Sequence, residues 1–525
     1  MTQAPAPAKE DRRNAVERAK DELDPLDIRP RIERYAREGY ASIDPEDLKV
    51  RFRWWGLYTQ RPEEAGYFMM RIRIAGGALT SEQLEAIGRI ARQRCRDVAD
   101  VTDRQNIQLH WVVIQDVPAI WDELAKVGLE TVQTCGDTVR NILGCPVAGV
   151  DAGEVFDASG DLAAANARLT HTKEFTNLPR KYKLSISGCR DHCAMHEIND
   201  GALVGVAHPD GRLGYDAWVG GGLSSTPRFA ERLGVFVPRE QATEFLVALT
   251  SLFRDHGGRD KRTRARLKFL VGAWGVDKLR KVLEDGPEAP PSSTVHRDHV
   301  GVYRQKDGRY YVGVAPLVGR TSGSQLTAVA RLARELGQGR VRLTTQQKLL
   351  VLDIPRERVG EAVARLEELG LPAYPSPFWR GAMACTGMQF CKLALVETKQ
   401  RAAGLVHAME QRFPDFDGKV RLNVNGCPNS CARYQLSDIG LAGGESAGSG
   451  NFQLHLGGEL GESRALGQRI RSRVNADDAE EVVGHLIGSY LACREDGESL
   501  QSWLRRQPAE RLAELSRPPV PVGTG

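Results

Sequence analysis

Apolar and polar positions change period in a regular order along this chain. Phe68 to Ile74 (FMMRIRI) and Gln108 to Ile114 (QLHWVVI) read as strands, and between them Ser81 to Asp97 carries apolar residues at helical spacing. Strand, amphipathic helix and strand make an α+β unit.

The unit has a second copy. Gly56-Leu-Tyr-Thr-Gln60 returns as Gly301-Val-Tyr-Arg-Gln305, and Val101-Thr-Asp-Arg-Gln-Asn-Ile-Gln108 as Leu343-Thr-Thr-Gln-Gln-Lys-Leu-Leu350. Ser185-Ile-Ser-Gly-Cys-Arg-Asp-His-Cys193 returns as Asn423-Val-Asn-Gly-Cys-Pro-Asn-Ser-Cys431. The offsets of 245, 242 and 238 residues describe one duplicated half, not a short solenoid period. Two similar halves facing each other are expected, joined by the Pro/Gly/Ser-rich stretch Glu284 to Thr294.

Composition narrows the class. With 525 residues, 41% hydrophobic content and no run of 18 apolar residues, the chain reads as a soluble, multi-lobed protein without a membrane span. The Ala/Pro-rich start, Met1 to about Pro30, lacks an apolar signal core and reads as a loose, partly helical arm. Ten clustered cysteines are too few for a disulfide scaffold and suit a reducing compartment, so a cytoplasmic location is expected. A net charge of +4 gives no footprint for nucleic acid. The basic run Arg259 to Lys268 reads as a solvated helix face, or secondarily as a docking patch for an acidic electron donor.

Four cysteines carry the chemistry. Cys385-x5-Cys391 is followed, after 35 residues, by Cys427-x3-Cys431, and two thiolate pairs of this kind can converge on one metal centre. Zinc usually takes Cys-x2-Cys or Cys/His pairs, so the spacing favours a [4Fe-4S] cluster. From about Arg51 to about Gly457, and most specifically at these cysteines and at Asn423 to Cys431, the chain resembles the sirohaem-dependent assimilatory sulfite and nitrite reductases. The resemblance implies a duplicated α+β fold of two ferredoxin-like half-domains (50–135 and 297–375) and two sirohaem/[4Fe-4S]-type lobes (136–283 and 376–515) related by a pseudo-twofold. An arm (1–49), a linker (284–296) and a tail (516–525) complete it. It implies a [4Fe-4S] cluster on Cys385, Cys391, Cys427 and Cys431, with Cys431 also ligating the sirohaem iron.

Reduction of sulfite to sulfide, or of nitrite to ammonia, consumes six electrons and several protons at a small anion, so its site needs fixed cations. By position in the matching motifs, the resemblance makes Arg71, Arg140, Lys181 and Lys183 the substrate cage. It gives Arg73, Arg104, Gln108 and His110 contacts to the haem's carboxylates. Arg53 to Gln60 is similar to the actinobacterial-type ferredoxin sulfite reductases, in which a tyrosine beside a cysteine near the haem can be covalently linked to it; the matching positions are Tyr58 and Cys135. A buried tyrosine hydrogen-bonded near a thiol explains the same two residues. Cys189-x3-Cys193, with Cys145 nearby, departs from the assimilatory relatives: it reads as a relic or thiol pair, or as a second cluster with Cys135.

Lys183 leans the substrate towards sulfite, because the nitrite branch tends to place Asn there. The expected reaction is six-electron reduction of sulfite, with nitrite as the alternative substrate. A cobalamin-pathway enzyme of the precorrin-3B synthase type would not need the cationic set, and a non-catalytic electron carrier would need neither sirohaem nor cage. The chain has no dinucleotide fingerprint after a strand, so electrons come from ferredoxin or another low-potential donor protein.

Overall fold

The computed structural model describes residues 14–189, 191–283, 288–289, 296–444, 447–448 and 450–517. The expected linker therefore lies almost wholly outside the described residues, as do most of the expected tail and the first part of the arm.

The first half contributes β1 (Leu57–Thr59), β2 (Tyr67–Ile72), β3 (Ala78–Thr80), β4 (Ala99–Val101) and β5 (Ile107–Val113), then lobe strands β6 (Leu184–Ser187), β7 (Gly201–Ala207), β8 (Leu213–Val219) and β9 (Glu231–Pro238). The second half follows with β10 (Gly301–Arg304), β11 (Tyr310–Val314), β12 (Arg320–Thr321), β13 (Arg340–Leu343) and β14 (Leu349–Ile354). Its lobe holds β15 (Ala382–Ala384), β16 (Leu422–Asn425), β17 (Ile439–Gly443), β18 (Asn451–Leu456) and β19 (Gln468–Asn475). The fold is that of a duplicated α+β protein.

The two half-domain sheets exchange an edge. One runs β1-β2-β5-β4-β12 and the other β10-β11-β14-β13-β3, so each ends on a strand donated by the other half. Arg320 pairs with Asp100, and Arg340 with Thr80, in antiparallel register. The exchange satisfies edge N–H and C=O groups and makes the halves inseparable. One continuous core joins residues as distant as Ile32, Leu109, Leu326 and Val351.

Helices Ser81–Arg94 and Gly323–Leu336 begin with matching capping boxes, Thr80 with Gln83 and Ser322 with Gln325, and pack against each other. Gly88 and Gly323 meet there: a Cβ on Gly88 would lie 2.7 Å from the Gly323 carbonyl oxygen, and one on Gly323 2.4 Å from the Gly88 oxygen. Absent side chains at both let the helix backbones touch.

Each lobe builds its own sheet and core. Lobe 1 stacks β6-β7-β8-β9 and lobe 2 β15-β16-β17-β18-β19, with β16 and β17 parallel as are β6 and β7. The arm is more firmly held than its composition indicates. Helix Ala15–Glu22 buries Ala19 and Lys20; Lys20 Nζ donates to the Leu178 carbonyl (3.0 Å), and Arg51 donates to the Ala19 carbonyl (3.1 and 3.0 Å).

Candidate active site

The strand–turn segments of the first half-domain and the cysteine loops of lobe 2 form one crevice, with lobe 1 as its third wall. Arg71 on β2 pairs across the sheet with Gln108 on β5. The Gln108 amide, oriented with its oxygen towards Arg71, accepts from Nη2 (2.5 Å) and Nε (3.2 Å). The Arg71 guanidinium stands 5.6 Å from the centre of the Tyr58 ring, a cation–π contact that fixes its tilt.

Arg71 Nη1 and Arg140 Nη1 both donate to the Thr134 carbonyl at 3.4 Å, and Arg140 also holds the Gly136 carbonyl (3.0 and 2.8 Å). Two guanidiniums therefore meet on one backbone oxygen, in the loop that carries the buried Cys135. Arg71 thus touches the Tyr58 ring and the carbonyl of Thr134, the residue before Cys135. Burial and then the charge of Arg140 pull the Arg71 pKa down to about 10, against the opposing pull of Cys431.

Lys181 and Lys183 line the cavity with Arg104, Asn199, Arg266 and Arg433. Neither ammonium has a side-chain hydrogen bond or ion pair among the described residues, whereas the Lys183 backbone N–H is fixed by Asp200 (2.9 Å). Burial, then Arg266 and Arg140, bring Lys181 down to about 8. Lys183 falls well below the ordinary lysine value through burial, then Arg104 and Lys181. Cations that depress one another in this way are short of an anion.

The four expected carboxylate contacts divide. Arg104 donates to Asn199 Oδ1 (3.0 Å) and the Asn141 carbonyl (2.7 Å) and leaves its buried Nε unpartnered beside the cavity. Arg73 is buried against the carbonyls of Val132 (3.0 Å) and Gln133 (2.7 Å), so its donors hold the 131–134 loop. His110 is fully buried, joined to Asp100 (3.0 Å) and stacked on Phe390 with ring centres 3.9 Å apart, which braces the loop ending in Cys391. Gln108 is spent on Arg71. Asp100 in turn is held by Arg320 (2.6 Å) and Lys399 (3.4 Å); although burial opposes it, these charges and His110 keep its carboxyl well below the usual range.

Sequence reasoning passed over Arg266 and Arg433. The run Arg259 to Lys268 proves to be an internal clamp: Arg262 grips Asp137 (2.7 Å), Arg266 grips Asp200 (2.8 Å), and the buried Lys268 donates to the carbonyls of Gly222 (3.1 Å) and Leu223 (2.9 Å). Their acidic partners lie far off in sequence, which is why the run reads as a surface. Arg433 crosses the cavity to the Thr345 carbonyl and the sulfur of Met195.

The quartet of cysteines fits a metal cluster. Cys385 follows β15, Cys427 and Cys431 follow β16, and Cys385 Sγ accepts the Gly426 N–H (3.1 Å), the kind of amide contact that tunes cluster potential. Burial leads in pushing the Cys385 thiol up to about 11, so iron is what would keep it as a thiolate. Cys431 is exposed towards the crevice, within electrostatic reach of Arg71 and Lys181.

Known proteins match this architecture throughout. The model of the nitrite and sulphite reductase 4Fe-4S domain matches residues 135–289 and 377–518, and that of the nitrite/sulfite reductase ferredoxin-like half domain matches 60–127 and 303–369. The chain belongs to the nitrite and sulfite reductase family. It is 46% identical to sulfite reductase [ferredoxin] 2 of Mycolicibacterium paratuberculosis over 95% of this chain and 96% of that protein. Ferredoxin–nitrite reductase of Synechococcus elongatus is 38% identical over 92% and 98%. The structure of the Mycobacterium tuberculosis NirA protein superposes with a TM-score of 0.91 at 43% identity, covering 95% of this chain and 97% of that one.

This family member is an oxidoreductase whose cofactors are a [4Fe-4S] cluster and sirohaem. When bound, the cluster would supply electrons and the sirohaem an iron centre for the anion. Cys385, Cys391, Cys427 and Cys431 would hold the cluster, and Arg104, with its unpartnered Nε, heads the groups placed to meet haem carboxylates. No helix among the described residues is long and apolar enough to cross a membrane.

Proposed function

We propose that this chain reduces sulfite to sulfide with six electrons from reduced ferredoxin, and acts on nitrite more slowly. The observation that carries the reading is the convergence of Arg71, Arg140, Lys181 and Lys183, with two unpaired ammoniums, on the side of the crevice facing Cys431. A small oxyanion supplies the missing negative charge, and each oxygen leaving as water needs protons. Lys181, at about 8, exchanges protons near neutral pH, while the guanidiniums of Arg71 and Arg140 hold the anion. Lys183 is also lowered, by burial and then by Arg104 and Lys181, so an entering anion offsets the same repulsion at both lysines.

The ferredoxin donor belongs to the same reading, supported by the absence of a dinucleotide fingerprint and the names of the relatives; a cytoplasmic setting rests on the clustered cysteines, which suit a reducing compartment. A Tyr58–Cys135 link belongs to the reading too, supported by the contacts of Arg71 with the Tyr58 ring and with Thr134, the neighbour of Cys135 in the chain. A ferredoxin–nitrite reductase at 38% identity supports nitrite as the second substrate.

Side-by-side kcat/KM for the two anions, with one reduced ferredoxin as donor, tests the proposal. A clear preference for sulfite, with no turnover on NADPH alone, is expected. A preference for nitrite would overturn the substrate and leave the cage standing.

A further inference from the structure

Lobe 1 contains a second thiol site, separate from the cluster. The Sγ atoms of Cys145, Cys189 and Cys193 all lie within 4.8 Å of one another, and all three residues are buried, between 2% and 4% exposed. His299, from the second half, reaches into the group: its Nε2 is 3.1 Å from Cys193 Sγ, and its Nδ1 is 3.0 Å from the Tyr311 hydroxyl. Neither Cys135 nor His299 lies within the compact thiol group itself, and of the two it is His299 that touches it, through Cys193. We infer that Cys145, Cys189, Cys193 and His299 form a tetrahedral zinc site that ties lobe 1 to the second half-domain.

Geometry selects a single ion. Zinc holds sulfur at about 2.3 Å and imidazole nitrogen at about 2.0 Å, so ligand atoms in a tetrahedron sit about 3.8 Å apart or less. Thiols within 4.8 Å can close on one ion with small shifts, and His299, already 3.1 Å from Cys193 Sγ but outside that compact trio, completes the set by moving inward. A cubane cluster spreads its cysteine sulfurs wider, and none of the compact metal-ligand groups of the described residues contains Cys385, Cys391, Cys427 or Cys431.

The surroundings are those of a structural centre. An Nδ1–H donated to the Tyr311 oxygen would fix the His299 tautomer and leave the Nε2 lone pair on the thiol side, the arrangement of a ligating histidine held by an outer partner. His299 keeps a left-handed backbone, with φ of 63°, a strained conformation for a residue with a side chain. The Asp191 N–H points at Cys189 Sγ (3.3 Å). The neighbouring carboxylates Asp151 and Asp191 are both taken by Arg297, so three sulfurs and one imidazole remain as ligands. Apolar Val147, Val150, Leu350 and Leu352 close the shell. Four protein ligands leave no open position, as in structural rather than catalytic zinc. On binding, three thiol protons pass to solvent and no electrons move.

Metal analysis of the purified holoenzyme, with zinc K-edge absorption on the same sample, tests the inference. One zinc per chain in addition to the iron, with a shell of three sulfurs and one nitrogen, is expected. Cys193→Ser should bind no zinc while keeping the wild-type visible spectrum. Substoichiometric zinc, or a disulfide among the three cysteines, would overturn the site. So would a shell of nitrogen and oxygen only, which would place the metal on the neighbouring His192, Glu197 and His296. The absorption edge of the unaltered protein decides even if the variant fails to fold.

Discussion

The crevice of lobe 2 and its counterpart on lobe 1 share a strand plan and differ in what the facing half-domain presents. Over lobe 2 stand Arg71, Gln108 and His110; at the repeat positions over lobe 1 stand Gly313, Leu350 and Leu352. The equivalence rests on register: Arg71 pairs with Gln108, and Gly313 pairs with Leu350. Gly313 has a positional reason, because a Cβ there would lie 1.7 Å from the His299 carbonyl oxygen. The chain therefore passes through the volume that an arginine claims in the other half, and brings His299 to the thiols. One crevice is held open and cationic for cofactor and substrate, and the other is packed shut. Duplication supplied two sites, and exchange of a few strand residues gave them different chemistry.

The sharpest break comes at the cysteine loops. If the Cys431 thiolate serves both cofactors, Cys431→Ser should abolish activity and the visible spectrum of cluster and haem together. Absorption spectroscopy checks it, and a wild-type spectrum would refute the bridging role. On the closed side, Gly313→Ala should cost about 2 kcal/mol by forcing the His299 backbone aside, read as a lower urea midpoint. An unchanged midpoint would mean that Gly313 is an ordinary strand glycine, where Ala is tolerated or mildly favourable. Within the open crevice, Lys183→Asn should move the sulfite-to-nitrite ratio of kcat/KM towards nitrite by about thirtyfold, roughly 2 kcal/mol. An unchanged ratio would remove Lys183 from substrate choice.

Much of this contrast was legible in the sequence. The repeat gave the two halves, the 3.6 and 2 periodicities gave the first helix and strands to within two or three residues, and the cysteine spacing gave the cluster. Local patterns could not reveal the exchanged strands, since β3 and β12 are two or three residues long and are set by what they pair with. The clamp role of Arg262 and Arg266 depends on Asp137 and Asp200, more than 60 residues away. His299 stands in no metal motif, and only the backbone route past Gly313 brings it to Cys193.

The smallest effect probes how the cationic crevice uses its low lysine. Lys181 is charged below about 8 and neutral above it, so the anion loses one of its cations as pH rises through that value. If Lys181 alone sets the alkaline limb, kcat/KM for sulfite should fall about twofold at pH 8 and about tenfold at pH 9. Lys181→Arg keeps a charge throughout, so its limb should move to higher pH, while proton transfer weakens and kcat drops at every pH. A limb that stays in place would assign it to another group. A kcat unaffected by the change would mean that Lys181 holds the anion without passing a proton. Lobe 1 offers the control: its thiol site has no such lysine, so the zinc content of the holoenzyme should stay constant from pH 7 to 9 while activity declines.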